Sequence, residues 1–321
     1  MTTSAHSTLR NVLIIGGSGF LSGTVARAAL AQGAAVWTVT RGQRPGVDGT
    51  VSIIADRNDA AAFNAAIGDA IADAIADAGN ITWDLVVDCI AYAPAHTAQD
   101  LAVFRNRARH LIFVSTDFVY APAQRRFPQN ETDAVYLIEG YGGGKRQVEE
   151  VLLHADAATL GDLRWTVVRP GHIYGPGSQL GCLPLHSRDP QLLARLRAGE
   201  PITLVGGGHF LQQPIFVEDL AATILSLAGN AAAHGQILNV AGPDVIESRT
   251  YFTEIAAILG TPVDLRSTPV DAYLPAHPEA APFLCHRFYD LSKLAALGAH
   301  MPATPLAEGL RRHVAWLDEQ V

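Results

Sequence analysis

The sequence predicts an α/β fold, a doubly wound parallel sheet with a smaller C-terminal lobe over its ligand edge. Short apolar, branched runs alternate with helical stretches through the first half of the chain. A glycine cluster stands between the first such run and the first helix. After Arg169 the alternation breaks, and glycine and proline become frequent from Pro170 to Pro190.

The apolar runs Asn11–Ile15, Ala35–Thr40, Val51–Ala55, Leu85–Cys89, Leu111–Ser115 and Trp165–Arg169 read as parallel strands buried on both faces. Between them, Leu21–Gln32, Ala60–Ala78, Thr97–Asn106 and Arg146–His154 read as helices. A sheet of this kind holds its ligands in the crevice outside the carboxyl ends of its strands. The repeat from Asp69 to Asp77 places Ile71 and Ile75 on one helix face, and reads as a lengthened surface helix without a function of its own. Further on, Gln191–Ala198, Glu218–Leu227, Tyr251–Leu259 and Leu306–Leu317 read as helices, the last amphipathic, and Ile202–Val205 and Gln236–Val240 as strands. The division implied is a first lobe over 1–170, joined by parts of 215–240, and a second over 171–321.

With 321 residues, 49% of them hydrophobic and 17% charged, the chain has ample material for a buried core. Its formal charge of −8 opposes a general nucleic-acid role, since phosphate backbones select basic surfaces. Cys89, Cys182 and Cys285 are too few and scattered for a disulfide framework or a CxxC site, and the twelve histidines show no metal-ligand spacing, so no metal is expected. Cys89 reads as a buried strand residue and His209 as a loop residue. The polar stretch Met1–Arg10 and the lack of an apolar run of eighteen residues predict a cytoplasmic protein with no membrane span.

Gly16-Gly-Ser-Gly-Phe-Leu-Ser-Gly23 follows a strand and opens a helix, the context a dinucleotide-binding turn needs. Glycine permits the tight turn and lets backbone N–H groups approach a pyrophosphate, while the helix N-terminus adds positive potential. NAD-preferring sites usually carry a carboxylate at the end of the second strand. Here Thr40 stands 24 residues past Gly16, followed by Arg41 and Arg44. A guanidinium there can bind a 2′-phosphate through two parallel hydrogen bonds, so NADP is favoured and NAD is the alternative. Arg41 stacking on adenine or facing water is the plainer reading. Asp56, after the third strand, is either a partner for the adenine amino group or a helix cap.

Tyr141-Gly-Gly-Gly-Lys145 puts a phenol and an ammonium four residues apart, on one face of a helix. A nearby cation favours the phenolate, bringing a pKa near 10 toward the working range of an acid or base. Three glycines are unfavourable in a helix, by about 1 kcal/mol each relative to alanine, which suggests a helix start pressed against a ligand. A plain helix start with a surface tyrosine and lysine is the alternative. The fifth strand ends in Ser115-Thr116, hydroxyls positioned to hydrogen-bond a reacting oxygen.

Taken together, Gly16–Gly23, Ser115-Thr-Asp-Phe-Val-Tyr120, Tyr141-xxx-Lys145, Arg169-Pro-Gly-His-Ile-Tyr-Gly-Pro176, Phe216-Val-Glu-Asp219 and Asp290-Leu-Ser-Lys293 resemble an extended short-chain dehydrogenase/reductase of the NAD-dependent epimerase/dehydratase group, built on a Rossmann sheet. The resemblance implies a catalytic set of Thr116, Tyr141 and Lys145. It also implies cofactor contacts from Gly16, Gly19, Phe20, Leu21, Arg41, Asp56, Ala91, Tyr141, Lys145, Pro170 and Ile173. A homodimer formed through the helices holding Thr97–Asn106 and Lys145–His154 belongs to the same resemblance.

Departures from the pattern bear on the reaction. Ser22 stands where the third glycine usually falls, as in an atypical branch that includes relatives of a chloroplast RNA-binding group. Phe118 replaces the glutamate of sugar-nucleotide dehydratases, so the acid that expels water is missing. Epimerases of the group often place asparagine at His172 and arginine near Gln212, whereas Arg287 lies where a phosphate ligand is often found. Asp117, His172, Gln212 and Arg287 are therefore candidate substrate contacts; for Asp117 and His172 the plainer readings are a turn cap and a hydrogen-bonded loop residue. The function expected is an NAD(P)(H)-dependent oxidoreductase acting on a hydroxyl or ketone of a sugar-like molecule. The alternatives are a nucleotide-sugar epimerase with tightly held cofactor, and a non-catalytic protein that binds RNA or another ligand.

Overall fold

Strong branched apolar runs make the centre of the molecule. In the computed structural model, which describes residues 9–78, 82–182 and 188–320, these runs form a seven-stranded parallel sheet. Its strands are β1 (Asn11–Ile15), β2 (Ala35–Thr40), β3 (Val51–Ile54), β4 (Leu85–Asp88), β5 (His110–Val114), β6 (Arg164–Pro170) and β7 (Gln236–Val240). Their order is β7-β6-β5-β4-β1-β2-β3. The order of winding reverses between β1 and β4, which run parallel, so a crevice opens at their carboxyl ends. Val12 through Ile15 are fully buried, as a strand covered on both faces requires. At the edge, β3 buries only Ile53.

Helices α1 (Phe20–Ala31), α2 (Ala60–Ala78), α3 (Pro94–Phe104) and α4 (Gly140–Leu153) cover the two faces. The buried side of α1 is Ser22, Gly23, Thr24, Val25, Ala26 and Ala29, small residues that bring it close to the sheet. Ile71 packs on the core beneath α2; the side chain of Ile75 lies outside the described residues. Helix α5 (Val217–Ser226) returns from the later chain to pack beside α1, with Leu220, Ala221 and Ile224 in the same core as Val12 and Ile14. Strand β7 follows it into the sheet beside β6.

The second lobe has its own core. There α6 (Ser248–Leu259) and α7 (Leu306–Asp318) pack Tyr251, Phe252, Ile255, Leu306, Leu310 and Val314 together. A short parallel pair, 202–205 with 265–268, lies beside them.

Two helix starts differ from the sequence expectation. Helix α3 begins at Pro94 rather than Thr97, since proline suits the first turn, where its missing N–H has no intrahelical partner. Helix α4 begins at Gly140, six residues before Arg146, and takes in all three glycines. A Cβ at Gly142 would lie 1.9 Å from the Phe118 carbonyl oxygen, and one at Gly143 would lie 2.4 Å from the Ile138 carbonyl carbon. Gly142 and Gly143 thus let the helix pack against neighbouring protein backbone, and Gly142 also lines the cavity described below.

Candidate active site

The turn after β1 is built for close approach. Gly16 adopts φ +99°, and a Cβ there would meet Ile90 at 2.8 Å. Its N–H donates to the Val39 carbonyl at 2.8 Å. Ser22, at the position of the missing glycine, closes the turn instead: its Oγ accepts from the Gly19 N–H at 3.0 Å and donates to the Gly16 carbonyl.

Two cavities meet at this turn, sharing Gly16, Gly19, Ile90 and Tyr92 in their walls. The first, about 610 Å³, runs along the ends of β2 and β3, where Arg41, Arg44, Asp56 and Asn58 line it. Asp56 accepts from the Asn58 N–H and side-chain amide, both at 2.9 Å. The Asn58 N–H, with Arg41 close by, holds the Asp56 carboxyl below its usual value. Asp56 thus serves as a local turn cap in the wall of the groove.

The second cavity, about 750 Å³, lies over the ends of β4, β5 and β6 and under the second lobe. Phe20, Leu21, Thr116, Asp117, Tyr141, Lys145, Pro170, His172 and Ile173 all line it. The joined shape suits an extended dinucleotide. Cationic side chains line one end, helix α1 opens its N-terminus at the middle, and hydroxyl groups and an ammonium stand at the other end.

Lys145 is 2% exposed. Its ammonium donates to the carbonyls of Ala91 and Val114, each at 3.0 Å, and rests against the rings of Tyr92 and Phe113. Ala91 therefore contributes a carbonyl to the lysine and does not itself line the cavity. Burial lowers the Lys145 pKa to about 8, against the opposing pull of Asp88, Cys89 and Glu149. At neutral pH the side chain is still a cation.

Tyr141 is 57% exposed and lies edge-on to Phe118. Crowding around the ring pushes its phenol above the usual value, Tyr92 adds to the shift, and the Thr116 hydroxyl draws it back. The expected lowering by Lys145 is absent, because the ammonium is turned to backbone carbonyls. In this state the phenol holds its proton at neutral pH.

Thr116 Oγ1 accepts from the Phe118 N–H at 3.2 Å, which leaves its own proton available to donate. Ser115 is committed elsewhere: its hydroxyl donates to Glu149 Oε1 at 2.6 Å. Glu149, fully buried, also receives both arms of Arg169, at 2.9 and 2.6 Å, and Arg146 at 3.0 Å. Arg169 donates to the Tyr120 hydroxyl, which donates to Asn239 Oδ1 at 2.6 Å. This satisfied network fixes the catalytic edge of the sheet. Sequence reasoning missed Glu149, although the four-residue spacing that joins Tyr141 to Lys145 continues to it.

Asp117 is nearly buried and heavily partnered. Arg287 donates to it, Tyr289 donates at 2.5 Å, and Arg125 reaches its carboxylate at 3.2 Å and its carbonyl at 2.8 Å. Burial opposes the charge, but Arg287, Arg125 and Tyr289 hold the carboxyl below its usual value. It is a fixed carboxylate, unsuited to donating a proton. The expectation for Arg287 needs correcting, since this guanidinium is spent on Asp117 and the Pro282 carbonyl. Gln212 is also displaced: it is 1% exposed and does not reach the cavity wall. Burial, with Arg188 nearby, lowers the His172 imidazole to about 4, so it is neutral in the cleft.

Beneath Tyr92 lies a second unanticipated cluster. Arg57 pairs with Asp88 at 2.7 Å and Asp100 at 3.0 Å, all three buried. Burial and the neighbouring Asp88 raise Asp100 well above its usual value. Burial also pushes Cys89 to about 12, which leaves the thiol inert. His209 is a surface residue beside Glu247. No group of residues suited to holding a metal ion occurs among those described, and none of their helices is long and apolar enough to cross a membrane.

The family model described as "NAD dependent epimerase/dehydratase family" matches residues 12–241. Two relatives are named dTDP-4-dehydro-6-deoxy-D-allose reductase. One, from a Streptomyces species, is 31% identical over 47% of this chain and 42% of its own length. The other, from Streptomyces bikiniensis, is 25% identical over 96% of both. The chloroplast stem-loop binding protein of 41 kDa b from Arabidopsis thaliana is 27% identical over 74% of this chain and 60% of its own length. The chain thus spans about half the length of the Streptomyces species reductase and of the chloroplast protein that it matches. Among solved structures, an epimerase from Methanothermobacter thermautotrophicus aligns with a TM-score of 0.75 at 16% identity, covering 97% of this chain and 93% of that one.

Proposed function

The chain belongs to the NAD-dependent epimerase/dehydratase family, and from that premise we propose that it is an NADP(H)-dependent oxidoreductase that reduces a ketone, or oxidises the matching hydroxyl, on a sugar-like small molecule. The observation that carries this reading is the protonated Tyr141 phenol beside the Thr116 hydroxyl, in a cavity that the Lys145 cation also lines and that is continuous with the Arg41 groove.

Gly16, Gly19 and the first turn of α1 would hold the pyrophosphate of the dinucleotide, with Tyr141 and Lys145 at its nicotinamide end. Arg41 and Arg44 line the groove where a 2′-phosphate would fall, and no carboxylate stands at the end of β2, which favours NADP over NAD. When bound, the cofactor supplies or accepts hydride. The protein's part is the proton: Tyr141 donates it to the oxygen of a ketone while Thr116 donates a hydrogen bond to the same oxygen. Lys145, its ammonium turned to the Ala91 and Val114 carbonyls, braces the Tyr92 and Phe113 side of the same cavity. A phenol that holds its proton at neutral pH has one to supply to a ketone oxygen. Asp117, held as a carboxylate, has no part in eliminating water.

A Tyr141→Phe variant tests this. Turnover with NADPH should fall by roughly 10² to 10⁴, with NADPH affinity within a few-fold of the wild type; unchanged turnover would remove Tyr141 from the chemistry. Net consumption of NADPH separates a reductase from an epimerase, which returns its hydride. A homodimer through α3 and α4, and a cytoplasmic setting, belong to the same proposal; sedimentation checks the first. The charge of −8 argues against an RNA-binding role.

A further inference from the structure

Three arginines stand near the substrate end of the cleft, but they are not equally available. Arg125 and Arg287 are buried, and both are engaged with Asp117. Arg287 also lies 4.0 Å over the Phe118 ring. Arg188 differs. It is exposed, it lines the cavity with Tyr141 and His172, and it makes no ion pair among the described residues. Its one recorded contact is with the Phe20 ring, at 5.9 Å.

The acids of the same wall do not cancel it. Glu139 stands ahead of α4, and Glu279 is turned to His277 at 3.3 Å. The groups that respond to the Arg188 charge are Tyr141, His172, Tyr251 and His313, each neutral at pH 7.

The cleft is also short. Among the described residues, its wall takes from the second lobe only His172, Ile173, Arg188, Glu279, Pro282 and Phe283. Phe283 closes against Phe118 at 5.3 Å, and Cys182 and Tyr251 are sealed in the second core. A nucleoside diphosphate needs cations for two phosphates and a further compartment for its base. Among the described residues this cleft offers one guanidinium outside an ion pair, and its volume of about 750 Å³ must also admit the nicotinamide.

We propose that the substrate is a compact polyhydroxy molecule bearing one terminal oxyanion, a carboxylate or a phosphate ester, gripped by Arg188 while its ketone or hydroxyl faces Tyr141. A guanidinium meets either oxyanion through two parallel hydrogen bonds. This rests on the oxidoreductase reading above.

The test is calorimetric titration of the NADPH-loaded protein with D-glucuronate, D-glucose 6-phosphate, D-glucose and UDP-glucose. One of the two compact anions should bind roughly ten- to hundredfold more tightly than D-glucose, and which of them does so distinguishes carboxylate from phosphate. An Arg188→Gln variant should lose that preference and keep its NADPH affinity. The proposal is overturned if neither compact anion binds more tightly than D-glucose, if UDP-glucose binds most tightly, or if the anion preference survives in the variant. Weakened NADPH binding in the variant would reassign Arg188 to the cofactor and also overturn it. Failure of the wild type to bind NADPH at all would defeat the oxidoreductase reading as well, and is seen before any sugar is added.

Discussion

Lys145 should leave a signature in the pH dependence of stability that a surface lysine cannot. Burial lowers its ammonium from 10.5 to about 8. At about 1.36 kcal/mol per pKa unit, the charged form is roughly 3 kcal/mol less favourable in the folded chain than in the unfolded one. Below pH 8 both states carry the proton and the whole penalty applies. Between pH 8 and 10.5 the folded chain has released the proton and the unfolded chain still holds it. The unfolded state then binds more protons, so stability rises with pH across that window. A Lys145→Met variant fills similar volume and has nothing to titrate. Urea unfolding of both proteins in steps from pH 7 to 10.5 gives the comparison. Wild type minus variant should climb by about 3 kcal/mol. Parallel profiles would refute the claim that the ammonium is held in a low-dielectric site.

Other substitutions probe the supports of the site. Glu149→Gln removes the charge that holds Arg169 in the core and should destabilise by about 3–5 kcal/mol in urea unfolding; a loss below about 1 kcal/mol would show that the network is not held by its ion pair. Asp117→Asn strands Arg125 and Arg287 together, and a fall of similar size is expected in the same assay. Gly142→Ala drives a methyl into the Phe118 carbonyl and should cost about 1–3 kcal/mol, whereas Gly144→Ala, whose Cβ would meet only the Tyr92 carbonyl at an ordinary 3.7 Å, should gain up to about 1 kcal/mol. Equal effects of the two would undo the packing argument. The His172 imidazole should show no NMR titration between pH 5 and 8, since its pKa lies near 4.

Strands β1, β2, β4, β5 and β6 were legible because a strand covered on both faces needs a near-continuous branched apolar run, and such runs are visible in any sequence. The glycine turn and the Tyr141–Lys145 pair were legible because their partners are local. Helix α4 was read too short because propensity argues against three glycines. What overrides it is a contact with Phe118, about twenty residues earlier in the chain, which no local scale records. The Asp117–Arg287 pair spans 170 residues. Its members were singled out separately, each as a substrate ligand, and only the fold shows that they satisfy each other. Arg188 carried no signal at all, as its meaning depends on the other arginines being occupied.

The Asp117 clasp has a consequence for how the protein comes into being. Asn239, which ends the chain of hydrogen bonds from Ser115, and Arg287 and Tyr289, which grip the turn after β5, all leave the ribosome long after Tyr141 and Lys145. A polypeptide still under synthesis therefore carries every group proposed to handle the proton, yet lacks the two side chains, Arg287 and Tyr289, that hold the Asp117 carboxylate in place. A product truncated before residue 287 would lack that clasp altogether.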